Sequence, residues 1–115
     1  MTAPLDWIVP DWPAPARVGS LVTTRRGGVS VSAFASLNLG EHVGDEPAAV
    51  AANRERVRRW IGARPVWLRQ VHGTRVIDAA TCAGPFPPEA DAAFTRQSGV
   101  ACAVMTADCL PVLFC

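Results

Sequence analysis

A chain of 115 residues with a formal net charge of only +1 gives no electrostatic case for a nucleic-acid partner or an anionic membrane surface. Half of the residues are apolar (50%), so disorder is not the default and one domain can bury a core, though with little margin. All the basic side chains are arginine, which excludes Schiff-base catalysis and a Walker-type phosphate lysine within these residues and leaves anions to guanidinium groups or backbone amides.

The opening residues, Met1-Thr2-Ala3-Pro4-Leu5-Asp6-Trp7, lack both a basic n-region and an apolar h-region. No run of roughly 18 apolar residues occurs anywhere. The expected compartment is the cytoplasm, with no membrane partner. Residues 1–19 read as an irregular N-terminal arm, because Pro10, Pro13 and Pro15 remove backbone donors. Ser20–Thr24 predicts a strand that runs into Arg25-Arg26-Gly27-Gly28. There the glycines permit a close backbone approach, either as an anion cradle or as an ordinary turn with solvated arginines.

Asp45-Glu46-Pro47 opens the clearest helix. Asp45 is expected as N-cap, Pro47 falls in the first turn, Val50, Asn53, Val57, Trp60 and Ile61 share one side, and Gly62 is the stop. Arg54, Arg56, Arg58 and Arg59 crowd its later turns, where cations suit the helix dipole. Without interleaved aromatics they read as a solvated face rather than a nucleic-acid surface.

Strands are predicted at Val66–Val71, Thr74–Ala79, Val100–Thr106 and Pro111–Phe114, divided by the Pro-rich stretch Gly84-Pro85-Phe86-Pro87-Pro88. Short alternating runs around one good helix predict an α/β (α+β) fold, a mixed β-sheet core layered with helices. Residues 1–115 form a single expected domain. Because Pro111–Phe114 reads as a buried strand in mid-course, that domain is expected to be truncated and incomplete at its C-terminus.

Two segments carry chemistry, Gln70-Val71-His72-Gly73 and Thr106-Ala107-Asp108-Cys109-Leu110-Pro111. His72 precedes a glycine at a strand end, where functional groups are often displayed, although a hydrogen-bonded turn histidine looks the same. Cys109 alone is equally a buried small hydrophobe. Together they are two of the three protein ligands that a catalytic zinc takes while keeping an open position for water. Asp108, next to Cys109, is either a proton carrier near the metal water or a turn-capping carboxylate. His42 reads as a loop histidine. Cys82, Cys102 and Cys115 have no evident chemistry, and the four cysteines show no compact disulfide spacing, so reduced thiols are expected.

These two segments, with Thr23-Thr24-Arg25-Arg26-Gly27-Gly28-Val29-Ser30, Ser36-Leu37-Asn38-Leu39-Gly40, His42-Val43-Gly44-Asp45, Asn53-Arg54, Trp67-Leu68-Arg69-Gln70-Val71-His72-Gly73 and Ala90-Asp91-Ala92, resemble the YfiH family in order from about Val22 to Phe114. That family is also called the laccase-domain, polyphenol oxidase or purine nucleoside phosphorylase family. Position 32 is Ser where the family pattern usually has Gly. The resemblance implies a zinc-dependent enzyme that phosphorolyses adenosine, inosine, guanosine and methylthioadenosine and deaminates adenosine, with a small-molecule purine nucleoside and phosphate as partners. It implies metal ligation by His72 and Cys109, with a further histidine beyond Cys115. Arg25 is then the candidate for phosphate, which a guanidinium binds bidentately. Asn38 is the candidate for a ribose hydroxyl or base edge.

Phosphorolysis needs phosphate held against the anomeric carbon and a donor to the leaving purine. Deamination needs an activated water at C6 of the base and a proton shuttle, for which Asp108 is available. Two rival chemistries share the same motifs. A Cys–His hydrolase or deamidase would use Cys109 as nucleophile and His72 as base. The other is a copper-dependent polyphenol oxidase; copper is the weaker cofactor alternative, since multinuclear copper sites take several imidazoles and the chain has His42 and His72.

Overall fold

The computed structural model describes residues 6–115, so the first five residues of the expected N-terminal arm lie outside the described residues. The chain divides into two compact units. One holds the residues up to Arg56 together with Val112–Cys115, and the other holds Val57–Pro111.

The first unit is a set of loops organised on the early turns of helix α1 (Pro47–Ile61). Pro47 takes the first helical position, where a missing N–H costs nothing. The Glu46 carbonyl accepts from Ala49 and Val50 at 3.0 and 3.1 Å, so Glu46, and not Asp45 as expected, occupies the capping position. Asp45 stands one residue earlier, and its carboxylate is drawn off by the Ser30 hydroxyl at 2.6 Å, the Asn38 amide at 3.2 Å and the Glu46 N–H at 2.8 Å. Val50, Asn53 and Val57 form the buried stripe of the helix, at the spacing one face requires. Gly62 ends it as expected, at φ 67°. Its N–H donates to the Arg58 carbonyl at 3.0 Å, the single-bond left-handed stop.

The strand expected at Ser20–Thr24 reduces to one antiparallel bridge between Val22 and Ile8. Beyond it the chain pairs with a loop, because the Arg25 carbonyl accepts the N–H groups of Ser36 and Leu37 at 2.6 and 2.8 Å.

The second unit contains two parallel two-stranded ladders. Strand β1 (Arg64–Val66) pairs with β4 (Val100–Cys102), Arg64 opposite Val100. Strand β2 (Val76–Asp78) pairs with β3 (Ala92–Phe94), Val76 opposite Ala92. The chain thus has the mixed helix and strand content expected of it, with small parallel ladders where one larger mixed sheet was expected. The core of this unit is Val66, Leu68, Ile77, Ala79 and Ala90, with Cys82, Ala93 and Val100 partly buried against it. Each buried Val, Leu or Ile there contributes roughly 1.5–3 kcal/mol.

Each predicted strand is shorter than its apolar run, for a visible reason. After Val66 the chain keeps the inward alternation at Leu68, but pairing shrinks to a bridge between Arg69 and Glu89. After Asp78 a single 3-10 turn (Ala79–Thr81) intervenes, because the Asp78 carboxylate accepts the Ala80 N–H at 3.0 Å. Beyond Cys102, the Met105 backbone is paired with a side chain, that of Gln70. Pro111–Phe114 forms no strand. The expectation of a buried strand there is corrected: Leu110, Val112 and Phe114 are 85%, 64% and 88% exposed, and no strand of the described residues pairs with them. Among the described residues, no helix is long and apolar enough to cross a membrane.

Candidate functional site

His72 and Cys109 both belong to the second unit, and one side chain ties their segments together. The Gln70 amide donates from Nε2 to the Met105 carbonyl at 2.9 Å and accepts the Met105 N–H on Oε1 at 2.8 Å. A side-chain amide thereby takes the place of a strand neighbour, satisfying both backbone groups of one residue. Gln70 lies two residues before His72, and Met105 four residues before Cys109. Asp108 and Cys109 sit in the exposed bend that follows.

His72 is exposed and takes the left-handed conformation, φ 58°, which costs a residue with a Cβ roughly 1–2 kcal/mol. The conformation is held by Asp91. Its Oδ1 accepts the N–H groups of Val71 and His72 at 3.1 and 2.9 Å, and its Oδ2 accepts that of Gly73 at 2.8 Å. These amides, Gly73 foremost, hold the Asp91 carboxyl below its ordinary value against the opposing effect of burial, as expected of a carboxylate that accepts several N–H bonds. In the same unit, burial and then the Asp78 carboxylate push the Cys102 thiol up, which keeps that cysteine in its unreactive form. All four cysteines are free.

The donor chemistry of the His72–Cys109 pair, one imidazole and one thiol on exposed turns, fits zinc. Among the described residues, however, no three His, Cys, Asp or Glu side chains are grouped so as to hold a metal ion.

Arg25 and Asn38 lie in the first unit. Arg25 donates from Nε to the Ala35 carbonyl at 2.8 Å and from Nη2 to that of Ala33 at 3.4 Å, clamping the loop that leads to Ser36. Asn38 Nδ2 donates to the Gly40 carbonyl and to Asp45, each at 3.2 Å, while Oδ1 accepts the Gly40 N–H at 3.1 Å. Asn53, fully buried, donates from Nδ2 to Ser30 Oγ at 2.9 Å and to the Asn38 carbonyl at 2.8 Å, and accepts the Val29 N–H at 2.8 Å. Arg54 Nε reaches the Leu39 carbonyl at 2.8 Å, and Arg56 that of Gly27 at 2.7 Å. The Arg-Arg-Gly-Gly, Ser-Leu-Asn-Leu-Gly and Asn-Arg segments, separate in sequence, thus form one network around the first turns of α1. His42 is exposed in a turn of the same unit.

The motifs contain Gln70 and Asp91, for which the sequence predicts no role, and Asn53, which it predicts only on one side of the helix. Residue type does not mark Gln70 or Asn53, whose neighbours include Arg69 and Arg54, and only Asp91 lies between two apolar residues, Ala90 and Ala92.

Residues 19–115 match the protein family described as multi-copper polyphenol oxidoreductase laccase. The chain is 55% identical over 109 residues to a purine nucleoside phosphorylase of Pseudomonas aeruginosa, covering 95% of this chain and 44% of that protein. It is 49% identical over 111 residues to the purine nucleoside phosphorylase YfiH of Escherichia coli, covering 94% and 45%. The chain therefore spans less than half the length of these curated relatives. Among solved structures it resembles the Neisseria meningitidis protein NMB0706, with a TM-score of 0.86 and 53% identity over 90% of this chain and 43% of that one. It also resembles YlmD of Geobacillus stearothermophilus, with a TM-score of 0.79 and 32% identity over 95% and 44%.

Proposed function

Because the chain belongs to the multi-copper polyphenol oxidoreductase laccase family, and its relatives bear the name purine nucleoside phosphorylase, we propose that the whole protein is a cytoplasmic, zinc-dependent purine nucleoside phosphorylase. It takes adenosine, inosine, guanosine or S-methyl-5'-thioadenosine with phosphate to the free base and the pentose 1-phosphate, and it also deaminates adenosine. The observation that carries this reading is the two-way bond between the Gln70 amide and the Met105 backbone, which fastens the segment of the imidazole to the segment of the thiol.

In this proposal His72 and Cys109 hold the metal. When bound, zinc supplies a Lewis acid and a water acidic enough to ionise near neutral pH. Copper is the weaker alternative for the same two donors. Asp108, exposed beside Cys109, would be the group that takes up and returns a proton at the purine base. Arg25 holds phosphate. Two of its guanidinium nitrogens already serve the carbonyls of Ala33 and Ala35, which leaves Nη1 for an anion. Asn38 Oδ1 has accepted one N–H and keeps a lone pair for a ribose hydroxyl.

The test is adenosine turnover by the whole protein with and without phosphate, with products identified. Adenine formed only with phosphate, and inosine formed regardless of it, are expected. His72→Ala and Cys109→Ala should abolish both reactions together with bound zinc, while Cys82→Ala leaves them. Arg25→Ala should raise the phosphate concentration needed for phosphorolysis and spare deamination. Normal turnover by Cys109→Ala would overturn the metal assignment. Turnover lost in Cys109→Ser with zinc retained would make Cys109 a nucleophile.

A further inference from the structure

We propose that Asp91 is the residue that positions His72 for metal ligation. The inference rests on the reading of His72 as a ligand and adds to it the group that sets its geometry.

Val71, His72 and Gly73 present three consecutive backbone N–H groups to a single carboxylate. Such a run of amides is an anion-binding concavity, and here the anion comes from the chain itself. His72 is at φ 58°, a region that residues other than glycine rarely adopt, with asparagine, aspartate and histidine the commonest exceptions. Without an acceptor, three amides converging on one side would be unfavourably placed, and the turn would relax toward ordinary dihedrals. Fixing φ and ψ fixes the direction of the Cα–Cβ bond, and with it the few rotamers from which the imidazole can be presented.

Asp91 is itself anchored. It follows Ala90, which is fully buried, and immediately precedes β3. Its own N–H donates to the Arg75 carbonyl at 3.2 Å, just before β2. The β2–β3 ladder thus fixes Asp91, Asp91 fixes three amides, and the amides fix the residue whose ring is to bind. On the other side Gln70 is held by Met105. His72 is bracketed by two polar clamps, each made by a side chain acting on backbone. Asp91 acts only through His72 and is a positioning residue.

The whole protein and its Asp91→Ala, Asp91→Asn and His72→Ala variants are stripped of metal. Zinc dissociation constants are then measured by competition with a chromophoric chelator, and the absorption bands of bound cobalt(II) are recorded, alongside the thermal transition of each protein. Asp91→Ala should weaken zinc by roughly 10- to 100-fold, the range for groups that orient a metal ligand, and should shift the cobalt bands. Asp91→Asn keeps an acceptor oxygen for Val71 and His72 but loses the one that serves Gly73, and should fall between wild type and Asp91→Ala. Wild-type zinc affinity and an unchanged cobalt spectrum in Asp91→Ala, with zinc lost in His72→Ala, would overturn the positioning role and leave ligation standing. Unchanged zinc binding in His72→Ala would overturn both. If Asp91→Ala does not fold, Asp91→Asn decides: an unaltered dissociation constant and cobalt spectrum would count against the proposal, and a weakened, shifted site would support it.

Discussion

Gly28 and Ser32 are opposite cases of backbone and side chain in conflict. A Cβ on Gly28 would collide with the Ser36 carbonyl oxygen and lie 2.5 Å from Asn53 Oδ1 and 2.7 Å from Leu37 Cα. None of these is the loose end of a flexible side chain, so the loops would have to part. Gly28→Ala is expected to cost roughly 3 kcal/mol, the upper end of overpacking, read as a lower midpoint in urea unfolding. Ser32 carries a Cβ at φ 56°, in the region that favours glycine. Relief of that strain, about 1–2 kcal/mol, less the extra backbone entropy of glycine, about 0.5–1 kcal/mol, gives Ser32→Gly a net gain of about 0–1.5 kcal/mol in the same measurement. A loss in Ser32→Gly, or an unchanged midpoint in Gly28→Ala, would contradict the geometry of the loop.

At the scale of elements, the beginning of α1 joins sequence, packing and pH response. The Ser30 hydroxyl, with the Asn38 amide and the Glu46 N–H, holds the Asp45 carboxyl below its ordinary value of 3.8. A carboxylate whose folded value is lowered stabilises the fold fully above its unfolded value and loses that contribution as pH falls through the folded one. The thermal midpoint should therefore fall as pH drops below about 4, and Asp45→Asn should flatten that acid limb while lowering the midpoint near neutrality. An acid limb of the same slope in both proteins would mean that other carboxylates govern it. The helix was legible in the sequence because its signals are local: Pro47 at the start, a buried stripe at helical spacing, Gly62 at the end. The strands were legible only in position. Apolar runs at 66–71 and 100–106 mark where strands begin, but ladder length depends on a distant partner, and at Met105 that partner is the Gln70 side chain. The candidate ligands were legible because imidazole and thiol are rare and chemically distinctive. Asp91 was not, because a carboxylate that serves amides twenty residues away has no signature of its own type.

Taken as a whole, the molecule keeps order in two ways. The unit spanning Val57–Pro111 relies on parallel ladders and an apolar core, and it carries His72 and Cys109 on exposed bends. The other unit has no ladder among its described residues, only the Ile8–Val22 bridge, and its loops are held by side chains of α1 and by Asp45. Asn53 is its hub, with every polar atom of a fully buried amide committed to Val29, Ser30 and Asn38. Resistance to proteases in this unit then depends on that one amide. Arg25 and Arg26 are exposed and are ideal targets for trypsin, yet a protease must draw several residues of loop out into an extended form before it can cut. With Asn53 in place the surrounding loops resist that extraction. In Asn53→Ala the first cut is expected at Arg25 or Arg26, at protease concentrations that leave the parent intact.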